Sequence, residues 1–129
     1  MRERWGATVL HCPYCHGYEI RDHPLGVIAA HPMSAHQALL IPDWGPTTFF
    51  TQGEFEPEPA ELEGFAARQI TIERTPVVEL LGTAPALDGV RLADRRLIEV
   101  AAVFTAPRTK AATPLAAMLG CEHEDGPTG

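Results

Sequence analysis

The sequence predicts an α/β fold: a Rossmann-like three-layer domain with a central parallel sheet and an added antiparallel β-meander. Three observations carry this. Leu25-Gly26-Val27-Ile28-Ala29-Ala30 is a short apolar run with branched residues, the pattern of a strand buried on both faces of a parallel sheet. Similar runs alternate with helix-like segments as far as Glu73, giving the β-α-β-α-β order of crossover connections. Beyond that point the chain changes to short strands joined by turns.

The elements follow in order. After the first strand, His31 to Ile41 reads as a helix, with Pro32 suited to its first turn and Pro42 stopping it. Met33, Leu39 and Leu40 are expected to face the sheet, and His31 and His36 to lie at the surface or in a cap. Thr47 to Thr51 is a second strand. Pro57 to Arg68 is a second helix, whose Glu58 and Glu61 favour the positive end of its dipole, and the acidic run Glu54 to Glu63 is a solvated face. Ile70 to Glu73 alternates as a third strand. Val77 to Leu81, Gly89 to Leu92 and Arg95 to Val100 are expected to form the meander, joined to the sheet, with Asp88-Gly89 as its clearest turn. Ala101 to Thr105 is a further buried strand. Thr113 to Gly120 has an N-cap, a first-turn proline and a terminal glycine, the marks of a short capped helix.

At 129 residues the chain has the length of one domain, enough to bury a core unaided. No apolar run approaches a membrane span, and the N-terminus lacks the apolar stretch of a secretory signal, so a cytoplasmic location is the default. A formal charge of −7 without clustered Lys or Arg argues against a nucleic-acid groove. Three cysteines cannot make a full disulfide framework, so the close pair points to redox or metal chemistry.

That pair lies in His11-Cys12-Pro13-Tyr14-Cys15-His16-Gly17-Tyr18-Glu19. The spacing admits a redox dithiol, half of a zinc site, or a c-type haem attachment. A dithiol needs two sulfurs near enough to form a small ring, which two intervening residues allow. Zinc would need four ligands, and a second C-x-x-C is absent; Cys121 and His123 complete a site only if the tail folds back. Haem attachment calls for a periplasmic route and an axial ligand in a helical fold, which the α/β pattern opposes. His16, beside Cys15, is the candidate acid/base, because imidazole shuttles protons near neutral pH.

With motif and strand order placed, the chain resembles the middle, pyridine-nucleotide domain of the low-molecular-weight thioredoxin reductase family. The most specific piece, Cys12 to Glu19, resembles a branch that includes flavin-dependent dithiol oxidases. Val103 to Thr109 resembles the crossover back to the flavin domain. The resemblance implies an oxidoreductase in which electrons pass between a dithiol or disulfide substrate, Cys12/Cys15 and FAD. Cys15 would face the flavin and Cys12 would exchange with substrate, and His16 stands where the family places an aspartate acid.

It also implies residues 1–24 as the redox entry segment, 25–106 as a degenerate NAD(P)-binding domain, and 107–129 as crossover and tail toward a missing flavin domain. The nucleotide turn falls on Ala29, Ala30, His31 and Pro32, where the glycines of a dinucleotide site are replaced and proline removes an amide donor. Thr51-Gln52-Gly53-Glu54 supplies no cation for a 2′-phosphate, so NAD(P)H is a doubtful cofactor. No flavin fingerprint occurs in these residues, and the chain alone is expected to be inactive. The implied partners are a small dithiol or disulfide, or a thioredoxin-like protein, and the flavin domain, with no resident metal and a homodimer left open. The rival from another class is a non-enzymatic Rossmann-like or zinc-binding interaction module.

Overall fold

Successive side chains of a strand point to opposite faces, and that period of two sorts the core of this protein into two halves. A computed structural model describes residues 1–106, 111–122 and 124. The chain runs β1 (Val9–Leu10), α1 (Pro13–His16), β2 (Leu25–Ile28), α2 (Ser34–Ala38), β3 (Thr47–Phe50), α3 (Pro59–Ala67), β4 (Thr71–Glu73), β5 (Val77–Leu81), β6 (Gly89–Leu92), β7 (Leu97–Ile98), β8 (Ala102–Phe104) and α4 (Leu115–Met118). Five strands form a parallel sheet in the order β1-β8-β2-β3-β4, and β5-β6-β7 form an antiparallel one. In register, Leu25 of β2 lies opposite Thr47 of β3 and Ala102 of β8, while Leu10 of β1 lies opposite Phe104.

One face of the parallel sheet presents Leu10, Leu25, Val27, Phe49, Ala102 and Phe104, which pack on Ala35 and Ala38 of α2, Ile41, and Phe65 of α3. Phe49 and Phe65 meet edge to face at 5.2 Å. Burying a phenylalanine side chain contributes about 1.5–3 kcal/mol, and an aromatic pair about 0.5–1.5 kcal/mol more. The other face presents Val9, Ile28, Phe50 and Val103 to Val90, Leu92, Leu87 and Val100. Gly26 completes the second face by absence: a Cβ there would lie 2.9 Å from the Phe50 ring.

The α/β class, the parallel sheet and the three layers stand as expected, but the layers differ in kind. The meander does not extend the parallel sheet; it forms a sheet of its own, stacked on the face opposite the helices. The reason is burial, since Ile28, Phe50 and Val103 would otherwise leave an apolar face in water. An ion pair ties the two sheets together: Arg96, in the turn between β6 and β7, donates from Nη1 to Glu73 Oε2 at 2.7 Å. That hydrogen bond holds the Glu73 carboxyl down at about 2.

Other expectations shift. Strand β1 carries no expectation from the sequence, being two residues long. The helix expected over His31 to Ile41 contracts to α2 and a separate 3-10 turn at Ile41–Asp43. His31 and Ser34 side chains bond the backbone of residues 30–33 and hold it out of helix. Met33, expected in the core, is 44% exposed, and His31, expected at the surface or in a cap, is buried with its ring accepting the Met33 amide. The C-terminal helix reduces to α4, with no side-chain cap, and the crossover expected after Ala106 falls on residues 107–110, outside the described ones.

Candidate active site

β1 delivers the chain to the carboxyl end of the parallel sheet one residue before Cys12, the end where open α/β sheets hold their ligands. Cys12 caps α1, and Pro13 occupies its first position, where a missing N–H costs nothing. The Cys15 amide donates to the Cys12 carbonyl at 3.3 Å, folding the motif into a turn that brings the two Sγ atoms within 2.7 Å. The helix ends at Gly17, where a Cβ would lie 2.4 Å from the Trp44 ring and 2.6 Å from the Pro13 carbonyl. Only glycine lets the dithiol turn sit against Trp44.

The two thiols differ. Cys12 is partly buried and Cys15 exposed. The Cys15 S–H donates to Cys12, which lowers the Cys12 thiol from its ordinary value and raises that of Cys15. His16, the last residue of α1, lines a cavity of about 120 Å³ together with both cysteines, His11 and Trp5. His11, which the sequence reading left out, approaches the Thr105 carbonyl at 3.3 Å through Nδ1. Its own carbonyl accepts from Gln37 Nε2 at 2.6 Å, so α2 fixes the peptide leading into Cys12. Gly17 bears no signal in the sequence beyond its place in the motif, and Gln37, far along the chain in α2, bears none.

The turn Ala29-Ala30-His31-Pro32 leaves the end of β2 with no amide to offer. The Ala29 amide bonds to Phe50 in the sheet. Those of Ala30 and His31 share Ser34 Oγ at 3.1 and 3.3 Å. Pro32 has none, the Met33 amide bonds to His31 Nδ1, and that of Ser34 to the His31 carbonyl. A pyrophosphate is held by free amides at such a turn, so these residues do not fit a dinucleotide. The adjoining cavity, about 320 Å³, is edged by Glu54, Glu56, Glu58 and Glu61 beside Pro32 and Met33, a wall that repels phosphate. Among the described residues, no three His, Cys, Asp or Glu side chains gather as a metal site, and no helix is long and apolar enough to cross a membrane.

The dithiol turn thus stands at the carboxyl end of a parallel sheet, beside a Rossmann-type turn. No protein-family model and no curated protein matches the chain. Solved structures do. An oxidoreductase from Agrobacterium tumefaciens is 48% identical, with a TM-score of 0.87, over 100% of this chain and 42% of that one. The structure of HlmI is 38% identical, with a TM-score of 0.86, over 95% of this chain and 39% of that one. The atypical thioredoxin reductase TRi from Desulfovibrio vulgaris Hildenborough is 26% identical, with a TM-score of 0.71, over 92% and 40%. The chain belongs with the thioredoxin-reductase-like oxidoreductases and spans about two-fifths of the length of these structures.

Proposed function

We propose that the chain is the dithiol-bearing part of a flavin-dependent thiol-disulfide oxidoreductase, in which Cys12 and Cys15 pass an electron pair between a dithiol or disulfide substrate and FAD held outside these residues. The observation that carries this reading is the pair of sulfurs 2.7 Å apart, with the lowered thiol on the partly buried Cys12 and the other on the exposed Cys15. FAD would supply the two-electron partner for the pair, and Cys15, the exposed sulfur, fits the role of facing it. No step is assigned to NAD(P)H, because the turn at Ala29 to Pro32 leaves no amide for it.

In the reducing direction, Cys12 thiolate attacks one sulfur of a substrate disulfide, forming a mixed disulfide and releasing the other sulfur as thiolate. Cys15, deprotonated, then attacks Cys12 Sγ, closing Cys12–Cys15 and releasing the second substrate thiolate. Two electrons have moved from the protein to the substrate. His16, in the same cavity, takes the Cys15 proton and returns it to the leaving thiolate. Run backwards, the same steps oxidise a dithiol.

The test is thiol counting after mild oxidation of the purified chain. The expected product has lost two of its three thiols to an intramolecular Cys12–Cys15 bond, reopened by a dithiol reductant, with Cys121 still alkylated. A stable one-to-one zinc complex that shields both sulfurs from alkylation would instead favour the interaction module.

A further inference from the structure

The cavity beside the dithiol is walled from two stretches of chain: Trp5 and Gly6 with β1, and Cys12, Cys15 and His16 at α1. The first stretch is tied to the antiparallel sheet. Residues 4–8 form a closed loop, in which the Ala7 and Thr8 amides donate to the Arg4 carbonyl at 3.0 Å and the Gly6 amide donates to the Val9 carbonyl at 2.9 Å. Two side chains reach out of it. Arg4, 8% exposed, donates from Nη2 to the Gly82 carbonyl at 2.6 Å and to that of Leu81 at 3.4 Å. Thr8 donates from Oγ1 to the Pro85 carbonyl at 2.6 Å. These acceptors lie at the end of β5 and in its connection to β6, 77 and 78 residues further along the chain. We propose that this connection, acting through Arg4 and Thr8, holds Trp5 against the dithiol, and that Arg4 is a positioning residue for the thiol exchange of Cys12 and Cys15. This rests on the redox reading above and adds the part that the second sheet plays in it.

Each wall of the cavity has its own anchor. At α1, Gln37 holds the His11 carbonyl and Trp44 packs at Gly17, so that wall is fixed from the helix layer. On the Trp5 side, bonding to β8 begins at Thr8, whose carbonyl accepts from the Val103 amide at 2.8 Å. Trp5 and Gly6 precede that point, and Arg4, next to Trp5 in sequence, carries their tie to the meander. Gly82 suits the acceptor's place: its φ is +103°, and a Cβ would lie 2.9 Å from Asp88 Oδ2 and 3.1 Å from the Ala86 carbonyl oxygen. The Asp88 amide donates to the Leu81 carbonyl at 3.1 Å and closes the connection from within.

Hydrogen bonds from a charged donor are the stronger kind, and they are directional. An apolar side chain of similar volume would fill the space of Arg4 without them, so what arginine adds at this position is direction. With Trp5 in place, the cavity of about 120 Å³ has room for a few water molecules beside His16 and both sulfurs. The Cys15 proton crosses this space as Cys15 attacks Cys12 Sγ, and a wall displaced by about an ångström is enough to slow such a step. Bonds and electrons move as in the exchange above; Arg4 touches none of the reacting atoms and acts through Trp5.

The test reads Trp5 directly. The chain has two tryptophans, so their indole N–H groups give two resonances in a nitrogen–proton correlation spectrum, assigned with Trp5→Phe. Closing Cys12–Cys15 with oxidised dithiothreitol, which leaves as its dithiol, is expected to shift both resonances, Trp5 through the cavity and Trp44 through Gly17. In Arg4→Met the Trp5 response is expected to collapse while that of Trp44 persists, which also shows that the chain has folded. Arg4→Lys keeps a charged donor for the two carbonyls and restores it. Thr8→Val removes the second tie at the same shape and acts in the same direction. The closure rate, divided by the rate of iodoacetamide alkylation, is expected to fall by about tenfold in Arg4→Met and to recover in Arg4→Lys. A Trp5 response absent in the parent, or unchanged in both Arg4→Met and Thr8→Val, would overturn the assignment, as would a closure rate that both variants leave unaltered. If oxidant fails to close Cys12–Cys15, the redox reading itself fails, and spectra recorded after alkylation of both thiols decide whether Arg4 holds Trp5 at the dithiol.

Discussion

Cys12 and Cys15 have the same chemistry in sequence and different chemistry in place. The Cys15 S–H donates to Cys12, which lowers the Cys12 thiol from its ordinary value and raises that of Cys15. Iodoacetamide reacts with thiolate alone, so the pH profile of Cys12 alkylation is expected to have its midpoint below that of an ordinary thiol. Cys15→Ala removes the donor, and the midpoint should move upward, leaving less Cys12 thiolate at neutral pH. A midpoint that stays put or falls in this variant would show that the hydrogen bond does not set the difference. Gly17 bears on the same pair through shape. A methyl group there meets the Trp44 ring and the Pro13 carbonyl, both closer than any side chain tolerates. Gly17→Ala is expected to cost about 1–3 kcal/mol in denaturant unfolding, the range for overpacking, and to narrow the reactivity difference of the two thiols as α1 loosens and their hydrogen bond weakens. Unfolding within a few tenths of the parent would mean that Trp44 yields freely.

Among the elements, β2 with its turn and α2 decide what the sheet end can bind. The apolar run at Leu25 declared its strand, because a doubly covered parallel strand has no polar side to disguise it. The turn was legible in what it lacks: no glycine approaches the helix, and Pro32 has no N–H. Its hydrogen bonds were not legible, because Ser34 reaching back to residues 30 and 31 and His31 folding under Met33 depend on side-chain directions rather than on spacing. The same bonds expose Met33, bury His31 and shorten α2. Strand β1 escaped for another reason: two residues cannot establish a period, and only the register against Val103 and Phe104 makes Val9 and Leu10 a strand. For the candidate site, the cysteine spacing and His16 could be read directly, whereas His11, Gln37 and the role of Gly17 required the fold. With the amides of the turn occupied and four glutamates beside it, the chain should give no saturable NADPH binding by calorimetry at micromolar to sub-millimolar concentrations. Micromolar NADPH binding, with NADH at least about tenfold weaker, would restore an NADPH-dependent reductase.

The molecule as a whole is a sheet with helices on one face and a second sheet on the other, and its chemistry gathers at the carboxyl end of the parallel strands. Cys12 follows β1, the closed turn follows β2, and Ala106 follows β8, so three neighbouring strands deliver the dithiol and its neighbours to one edge. Similar structures are more than twice as long as this chain, and the proposed oxidoreductase needs a flavin held beyond these residues. Under that proposal, the chain itself supplies a reversible two-electron couple. Equilibration of the chain in buffers of graded reduced-to-oxidised dithiothreitol ratio, with mass spectrometry of the alkylated protein, measures that directly. The account predicts one two-electron transition, assigned by peptide mapping to a Cys12–Cys15 bond, absent in Cys12→Ser and in Cys15→Ser, with Cys121 free throughout. A chain that stays fully reduced at every ratio, or that oxidises only through Cys121 or between molecules, would contradict it.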